Sequence, residues 1–278
     1  MRKAFILVLL LFGLLLLYAT SIEAKLLITE RKTLEYKRDL YASENLSSSD
    51  LKIVQFTDTQ LGPFYTLEQF QKVVDRINGE NPDVIVFTGD LFDVPNAYDS
   101  KDEASKILKQ LNKSALKIAI FGNHDFGGGG KAIYEDFMSE AGFVVLINER
   151  ISYEANGRVY DFYGIDDGML GDPSFEFIEN DIDALHYNVL LLHEPDLYEY
   201  AKGEPFDLIL SGHSHGGQIK LPFWGPIITP PLSKIYTNGY YEIDNERQSL
   251  LYVNTGLGNT KMKYRFGNIP KITVFTIE

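Results

Sequence analysis

The hydrophobic pattern begins with one uncharged apolar run, Ala4 to Ile22, broken only by Gly13 and the Thr20-Ser21 pair. Its length is near the lower limit for a membrane-spanning helix and exceeds the apolar region of a signal peptide, about 7–15 residues. The run predicts an N-terminal membrane anchor; a signal cleaved after Ser21, with Ala19 at the small-residue position, is the alternative. Arg2 and Lys3 favour a cytoplasmic N-terminus with the bulk of the chain outside the cytoplasmic membrane, although Lys25, Arg31 and Lys32 put positive charge on the far flank too. Residues 1–24 are thus read as signal anchor or signal peptide. Residues 25–50 are read as an extended juxtamembrane linker ending in the polar run Ala42 to Asp50, and residues 51–278 as one folded domain.

From Leu51 onward, short apolar runs alternate with amphipathic stretches. Lys52 to Thr57, Asp83 to Thr88 and Leu116 to Phe121 read as strands. Between the first two, Leu67, Phe70, Val73, Val74 and Ile77 recur at helical spacing, with Thr66 and Gln69 as a capping box and Gly79 as a stop. A second helix is expected around Asp102 to Asn112 and a third from Lys131 to Ala141. Strand-like runs follow at Phe143–Asn148, Val159–Ile165, Asn188–His193, Asp207–Ser211, Ser249–Asn254 and Lys271–Ile277. Strand and helix in alternation define an α/β fold with a parallel sheet and crossover helices, in which ligands sit beyond the carboxyl ends of the strands. The second half is richer in strands, and no repeat or low-complexity linker divides the domain.

Composition narrows the chemistry. A chain of 278 residues at 45% hydrophobic can bury a full core in one large domain. A net charge of -13 and a pI near 4.9 argue against a nucleic-acid surface, which needs clustered Lys and Arg. With no Cys, thiolate metal sites and Cys nucleophiles are excluded, so metal ligands must be His, Asp, Glu, Asn or Gln.

The apolar runs end in polar clusters: Asp58-Thr59-Gln60, Gly89-Asp90-Leu91-Phe92-Asp93, Gly122-Asn123-His124-Asp125, His193-Glu194-Pro195 and Gly212-His213-Ser214-His215. An Asp after a strand is ordinarily a turn former or a helix cap, and a lone His there is ordinarily a buried core residue. The joint pattern differs, because four of the five histidines lie at strand ends among carboxylates. His186 stands outside the pattern and reads as a surface or helix residue. Convergence on a pair of metal ions is the expectation.

In their order, these motifs resemble the calcineurin-like metallophosphoesterase superfamily over everything from about Leu51 to the C-terminus. The run of Gly-His-x-His into Gly216-Gly217-Gln218 and the Pro-rich stretch Leu221 to Leu232 is similar to its membrane-anchored bacterial branch, often called YkuE-like or YaeI-like. The resemblance implies a four-layer αββα sandwich, two mixed sheets flanked by helices, with a dinuclear site at the strand ends. It implies that Asp90 bridges the metals, that Asp58, Gln60 and His215 complete one position, and that Asn123, His193 and His213 complete the other. Two divalent ions are expected, Mn first, with Fe, Zn, Ni or Mg as alternatives. A water bridging two such ions is hydroxide-like near neutral pH and would attack a phosphate ester or phosphodiester. His124 is then free to stabilise transition-state charge or to protonate the leaving oxygen, with Asp125 orienting its ring and Asp93 supporting the site.

Four points are open at the level of sequence. The superfamily's first motif is Asp-x-His, whereas this chain has Gln60, a neutral and weaker donor than imidazole. Gly216 and Gly217 either let backbone approach a phosphate or make a tight turn. The segment Leu221 to Tyr241, with the chain's only Trp, Trp224, is either a long loop over a sheet edge or an apolar wall for an envelope or lipid-linked substrate. The function expected is hydrolysis of an envelope-associated phosphate ester. The alternatives are hydrolysis of a lipid-linked nucleotide pyrophosphate and a non-catalytic metal-binding envelope module.

Overall fold

A computed structural model describes residues 1–36 and 50–278. The polar run expected to close the linker, Ala42 to Asp50, lies outside the described residues apart from Asp50.

The apolar N-terminus forms helix α1, Arg2–Leu17, with none of its residues buried, and helical structure continues through Lys25. Strand β1, Ile28–Leu34, follows directly and pairs in parallel with the last strand of the chain. The folded unit therefore includes part of the expected linker.

The domain is built from two six-stranded mixed sheets. The first contains β1, β2 (Leu51–Phe56), β3 (Val84–Phe87), β4 (Leu116–Ala119), β5 (Val144–Val145) and β14 (Lys271–Ile277), in the order β1-β14-β2-β3-β4-β5. The second contains β6 (Glu149–Ala155), β7 (Arg158–Gly164), β8 (Tyr187–Leu191), β9 (Leu208–Ser211), β12 (Gly239–Glu242) and β13 (Leu250–Val253), in the order β12-β13-β9-β8-β7-β6. A separate hairpin joins β10, Lys220–Leu221, to β11, Gly225–Pro226. The site-bearing strands β2, β3 and β4 are parallel to one another, as are β7, β8 and β9.

The strands read as apolar on both faces because both faces are buried, which is the expected pattern for sheets enclosed by other layers. Alternate residues divide between layers: Ile53, Val84, Val86, Ile118 and Ile120 meet Phe162, Val189, Leu191, Leu208 and Tyr252 between the sheets. Val54, Phe56, Ile85, Phe87, Ala119 and Phe121 face the helices α2 (Leu67–Gly79), α3 (Lys101–Leu108) and α5 (Lys131–Glu140). The outer face of the second sheet, with Leu190, Ile209, Leu251 and Val253, is covered by α6 (Glu176–Asp181) and the turns of residues 195–200. These are the four layers that the resemblance implies.

The capping box of α2 is present: Thr66 Oγ1 accepts from the Gln69 N–H, and the Gln69 side chain accepts from the Thr66 N–H. The strand β6 was not expected from the sequence. It is set by a two-residue Asn156-Gly157 turn whose φ values of 57° and 76° are those of a hairpin turn.

Candidate active site

The polar clusters meet where β2, β3, β4, β8 and β9 end. The loops after β2 and β3 are laced together, Asp58 N to Gly89 O at 2.9 Å, Gln60 N to Asp90 O at 3.1 Å and Leu61 N to Leu91 O at 2.8 Å. Such lacing overrides local preference. Asp58, Gln60, Asp90, His213 and His215 all have φ between 48° and 65°, a left-handed conformation uncommon for residues with a Cβ. Crowding explains Gly122: a Cβ there would fall 2.3 Å from Asp90 Oδ1 and 2.7 Å from the His193 ring.

Of the residues named from sequence, Asp58, Gln60, Asp90, His193, His213 and His215 are buried together. His193 Nε2 lies 3.4 Å from Asp90 Oδ2, and His215 Nε2 lies 3.4 Å from Asp58 Oδ1. Ligand atoms of Asp58, Asp90 and His193 lie within 4.8 Å of one another, as do those of His193, Glu194 and His213. Asn123 opens the short helix α4, Asn123–Phe126.

The hydrogen bonds show which lone pairs are left over. His193 donates Nδ1–H to Thr88 O at 2.6 Å and His213 donates Nε2–H to Pro231 O at 2.9 Å, which leaves His193 Nε2 and His213 Nδ1 as acceptors. His193 Nε2, Asn123 Oδ1 and Gln60 Oε1 are buried without a hydrogen-bond partner. Unsatisfied buried acceptors cost free energy unless an electrophile completes them. A set of imidazole nitrogens and amide and carboxylate oxygens fits a borderline divalent cation, so the residues present fit the metals that the motifs imply.

Gln60 Nε2 donates to Asp90 Oδ2 at 2.6 Å, while Asp90 Oδ1 accepts the His124 N–H at 2.9 Å. Burial works to raise the Asp90 carboxyl, but His193 and then His124 overcome it and hold it below the usual carboxylate range. Asp58 is pushed up to about 6, chiefly by burial and against the pull of His193. Burial lowers His213 to about 4 and His215 well below the ordinary imidazole value, Arg265 adding to the latter. At His193 burial also works to lower the value, but Asp90 outweighs it and holds the ring well above the ordinary imidazole range, so a metal, which needs the neutral ring, would displace the His193 Nε2 proton.

One expected role is corrected. Asp125 does not orient His124: its carboxylate accepts the backbone N–H groups of Asp90 at 2.7 Å, Leu91 at 2.9 Å and Gly122 at 2.9 Å. The third position of a helical turn points its side chain back at the loop that starts the turn, so Asp125 braces the ligand loops instead. The group that holds the His124 ring is Asp93, whose carbonyl oxygen lies 2.7 Å from Nδ1. His186 lies outside the site, where its Nδ1 meets Asp161 Oδ2 at 2.8 Å. The Gly216 and Gly217 N–H groups bond to Ser214, to its Oγ at 3.0 Å and its carbonyl at 2.8 Å, so the two glycines form a tight turn.

Two site residues were not assigned from sequence. Glu194 follows His193 and is fully buried, and its carboxyl is raised well above the usual range chiefly by burial, with the Asp167 carboxylate adding to the shift. Its place inside the His193-Glu194-Pro195 motif was the available signal. Arg265 is also fully buried, with Nε to Asn259 Oδ1 at 3.0 Å, Nη1 to Thr255 O at 2.8 Å and Nη2 facing His215 Nδ1 at 3.3 Å. Nothing around Arg265 in the sequence marks it, because most of its partners are backbone carbonyls gathered by the fold.

Residues 51–217 match the calcineurin-like phosphoesterase family, and the chain belongs to that family. It is a metallophosphoesterase, a phosphoric ester hydrolase, which sets aside the non-catalytic reading. Among its relatives is the metallophosphoesterase YkuE of Bacillus subtilis (strain 168), 44% identical over 229 residues that cover 82% of this chain and 79% of YkuE. The phosphodiesterase YaeI of Escherichia coli (strain K12) is 28% identical, with 83% of each chain covered. The UDP-2,3-diacylglucosamine pyrophosphatase LpxG of Chlamydia muridarum (strain MoPn / Nigg) is 27% identical, covering 81% of this chain and 82% of its own. The Haemophilus influenzae NAD nucleotidase NadN shares the fold at a TM-score of 0.50 and 16% identity, over 75% of this chain and 45% of that one.

Proposed function

We propose that this hydrolase cleaves a phosphate ester or phosphodiester of an envelope-associated substrate at a dinuclear metal centre, with its catalytic domain held outside the cytoplasmic membrane by α1. The observation that supports this reading is the grouping of Asp58, Asp90 and His193 ligand atoms within 4.8 Å of one another, with His193 Nε2, Asn123 Oδ1 and Gln60 Oε1 on the same strand-end loops each buried and without a hydrogen-bond partner. Asp58, Gln60, Asp90 and His215 would hold one ion, and Asp90, Asn123, His193 and His213 the other. When bound, the metals supply Lewis-acid activation of a water nucleophile and of the phosphoryl group.

The chain's own residues account for the rest. Thr88 and Pro231 fix the tautomers of His193 and His213, so that one lone pair of each faces the centre. His124 donates Nδ1–H to the Asp93 carbonyl. Burial lowers the His124 pKa, but Asp90 and the Asp93 carbonyl outweigh it, and the net shift is upward. A His124 imidazolium carries an Nε2–H that can stabilise phosphoryl charge or pass a proton to the leaving oxygen. Asp125 keeps the loops of Asp90 and Gly122 at a fixed separation.

A second reading, hydrolysis of a lipid-linked nucleotide pyrophosphate, is supported by the relative named as UDP-2,3-diacylglucosamine pyrophosphatase. The test of both is elemental analysis of the purified full chain, followed by a panel of phosphomonoesters, phosphodiesters and nucleotide pyrophosphates under each metal found. Turnover that is lost with chelator and restored by the metal is the expected result.

A further inference from the structure

The hairpin of β10 and β11 carries Phe223 and Trp224 at its turn, with Phe223 fully exposed and Trp224 84% exposed. Ile227 and Ile228 follow at 56% and 73%. Contiguous exposed aromatic and β-branched side chains of this kind are uncommon on a surface that faces only water.

The hairpin rises from the foot of α1. Tyr18, at the end of that helix, packs edge-on against Phe266 with ring centroids 6.3 Å apart. The Phe266 carbonyl accepts the Lys220 N–H at 2.7 Å, where β10 begins. Tyr18 and Lys220 also line one cavity of about 320 Å³ together with Glu23 and Asn268. The helical segment is fixed to the domain there: Glu23 Oε1 accepts the Asn268 N–H at 2.6 Å and Ala19 O accepts the Arg265 N–H at 3.0 Å.

Charge agrees with this placement. In a chain of net charge -13, Lys261 and Lys263 are exposed on either side of the exposed Met262. This segment is tied to the start of the hairpin by Gln218, whose Oε1 accepts the Thr260 N–H and whose Nε2 donates to Met262 O. Aromatic side chains flanked by Lys suit the membrane interface and its anionic headgroups. The chain after the hairpin leads to the active site, since Ile227 N bonds to Ile219 O at 3.0 Å and Pro231 O accepts from His213 Nε2.

We propose that the β10–β11 hairpin, Ile227-Ile228 and Lys261-Met262-Lys263 form a second membrane contact beside α1, seated in the headgroup layer, and that the active site takes its phosphate ester from a lipid in that layer. The contact rests on α1 entering the bilayer, and the choice of substrate rests also on the hydrolase reading above.

Trp224 is the only Trp in the chain, so its fluorescence reports this contact without reference to catalysis. The full chain is reconstituted into vesicles of phosphatidylcholine and phosphatidylglycerol, with and without brominated acyl chains, and co-flotation is checked. Trp224 emission at shorter wavelength than in denaturant, quenched by brominated lipid and shielded from aqueous acrylamide, is the expected result. A chain that floats while Trp224 stays open to acrylamide and unquenched by bromine overturns this contact alone; a chain that does not float overturns the anchor reading with it. For the substrate, Phe223→Ser/Trp224→Ser is assayed on bis(4-nitrophenyl) phosphate in solution and on a phosphodiester or pyrophosphate carried by a vesicle lipid. The variant is expected to lose about tenfold or more on the lipid substrate and to keep the soluble one. Equal activity of variant and parent on the lipid substrate, or equal losses on both, overturns the lipid assignment.

Discussion

Gln60 Nε2 sits 2.6 Å from Asp90 Oδ2, so the amide that stands where relatives of the superfamily carry His is hydrogen-bonded to the carboxylate proposed to bridge the metals. Its other atom, Oε1, is buried and unpartnered. Both ends of one amide are thus accounted for if Oε1 faces a cation, but as a neutral oxygen it is a weaker donor than imidazole. Gln60→His is expected to tighten binding of the more weakly held Mn by about tenfold, measured by calorimetric titration. An unchanged affinity would place Gln60 outside the metal's reach.

His124 and Asp125 adjoin in sequence but separate in function. Asp125→Ala leaves three buried N–H groups without an acceptor, at about 1–3 kcal/mol each, and should lower thermal stability sharply. His124→Ala should leave the melting temperature nearly unchanged and lower turnover by about 10²–10⁴-fold. Calorimetry and single-substrate kinetics on the two variants separate brace from acid; matching stability losses in both would contradict the division.

Arg265 meets five groups with one planar fork, the carbonyls of Thr255, Gly258 and Asn268, Asn259 Oδ1 and His215 Nδ1, and Lys cannot repeat that geometry. Burial also brings its pKa down to about 10, a cost met by the carbonyls around it. Arg265→Lys should destabilise the fold by about 2–5 kcal/mol through unpaired carbonyls at Thr255 and Asn268. Denaturant titration of the full chain measures this, and a change of about 0.5 kcal/mol or less, the size of an ordinary surface substitution, would show the carbonyls to be satisfied otherwise.

Glu194 gives a pH signature in the metal-free protein. A carboxyl raised well above its ordinary value favours the fold while protonated, and that contribution is lost as pH rises through the folded value. The folded protein binds the proton more tightly than the unfolded chain, so rising pH destabilises it. Glu194→Gln keeps an acceptor for the Gly168 N–H and removes the charge beside Asp167. Its melting temperature should exceed the parent's at pH 8 and approach it at pH 4, in chelator throughout. A variant less stable than the parent at pH 8 would show that Glu194 is held as the anion.

Much of this was readable from residues alone. The strands that carry ligands are apolar on both faces and end in polar residues, so a parallel arrangement and the side of the sheet that bears the site follow from the pattern at Phe56-Thr57-Asp58 and Phe121-Gly122-Asn123. The edges were harder. Strand β1 is charged and half-exposed, with Glu30, Arg31 and Lys32 in succession, because an edge strand needs only one neighbour and solvates its outer side. The role of Asp125 was misread because adjacency in sequence says nothing about which way a side chain points at the start of a helix. Arg265 was invisible for a related reason: three of its five partners are main-chain carbonyls, which carry no sequence signature.

Metal stoichiometry set against turnover is the most direct test of the dinuclear site. Chelator-stripped full chain is titrated with Mn while bound metal and bis(4-nitrophenyl) phosphate hydrolysis are followed together, alongside Asp90→Asn. Two ions per chain are expected, with hydrolysis rising as the second binds and with both binding and hydrolysis lost in Asp90→Asn. Hydrolysis that is full with one ion bound, or that survives in Asp90→Asn, would contradict it.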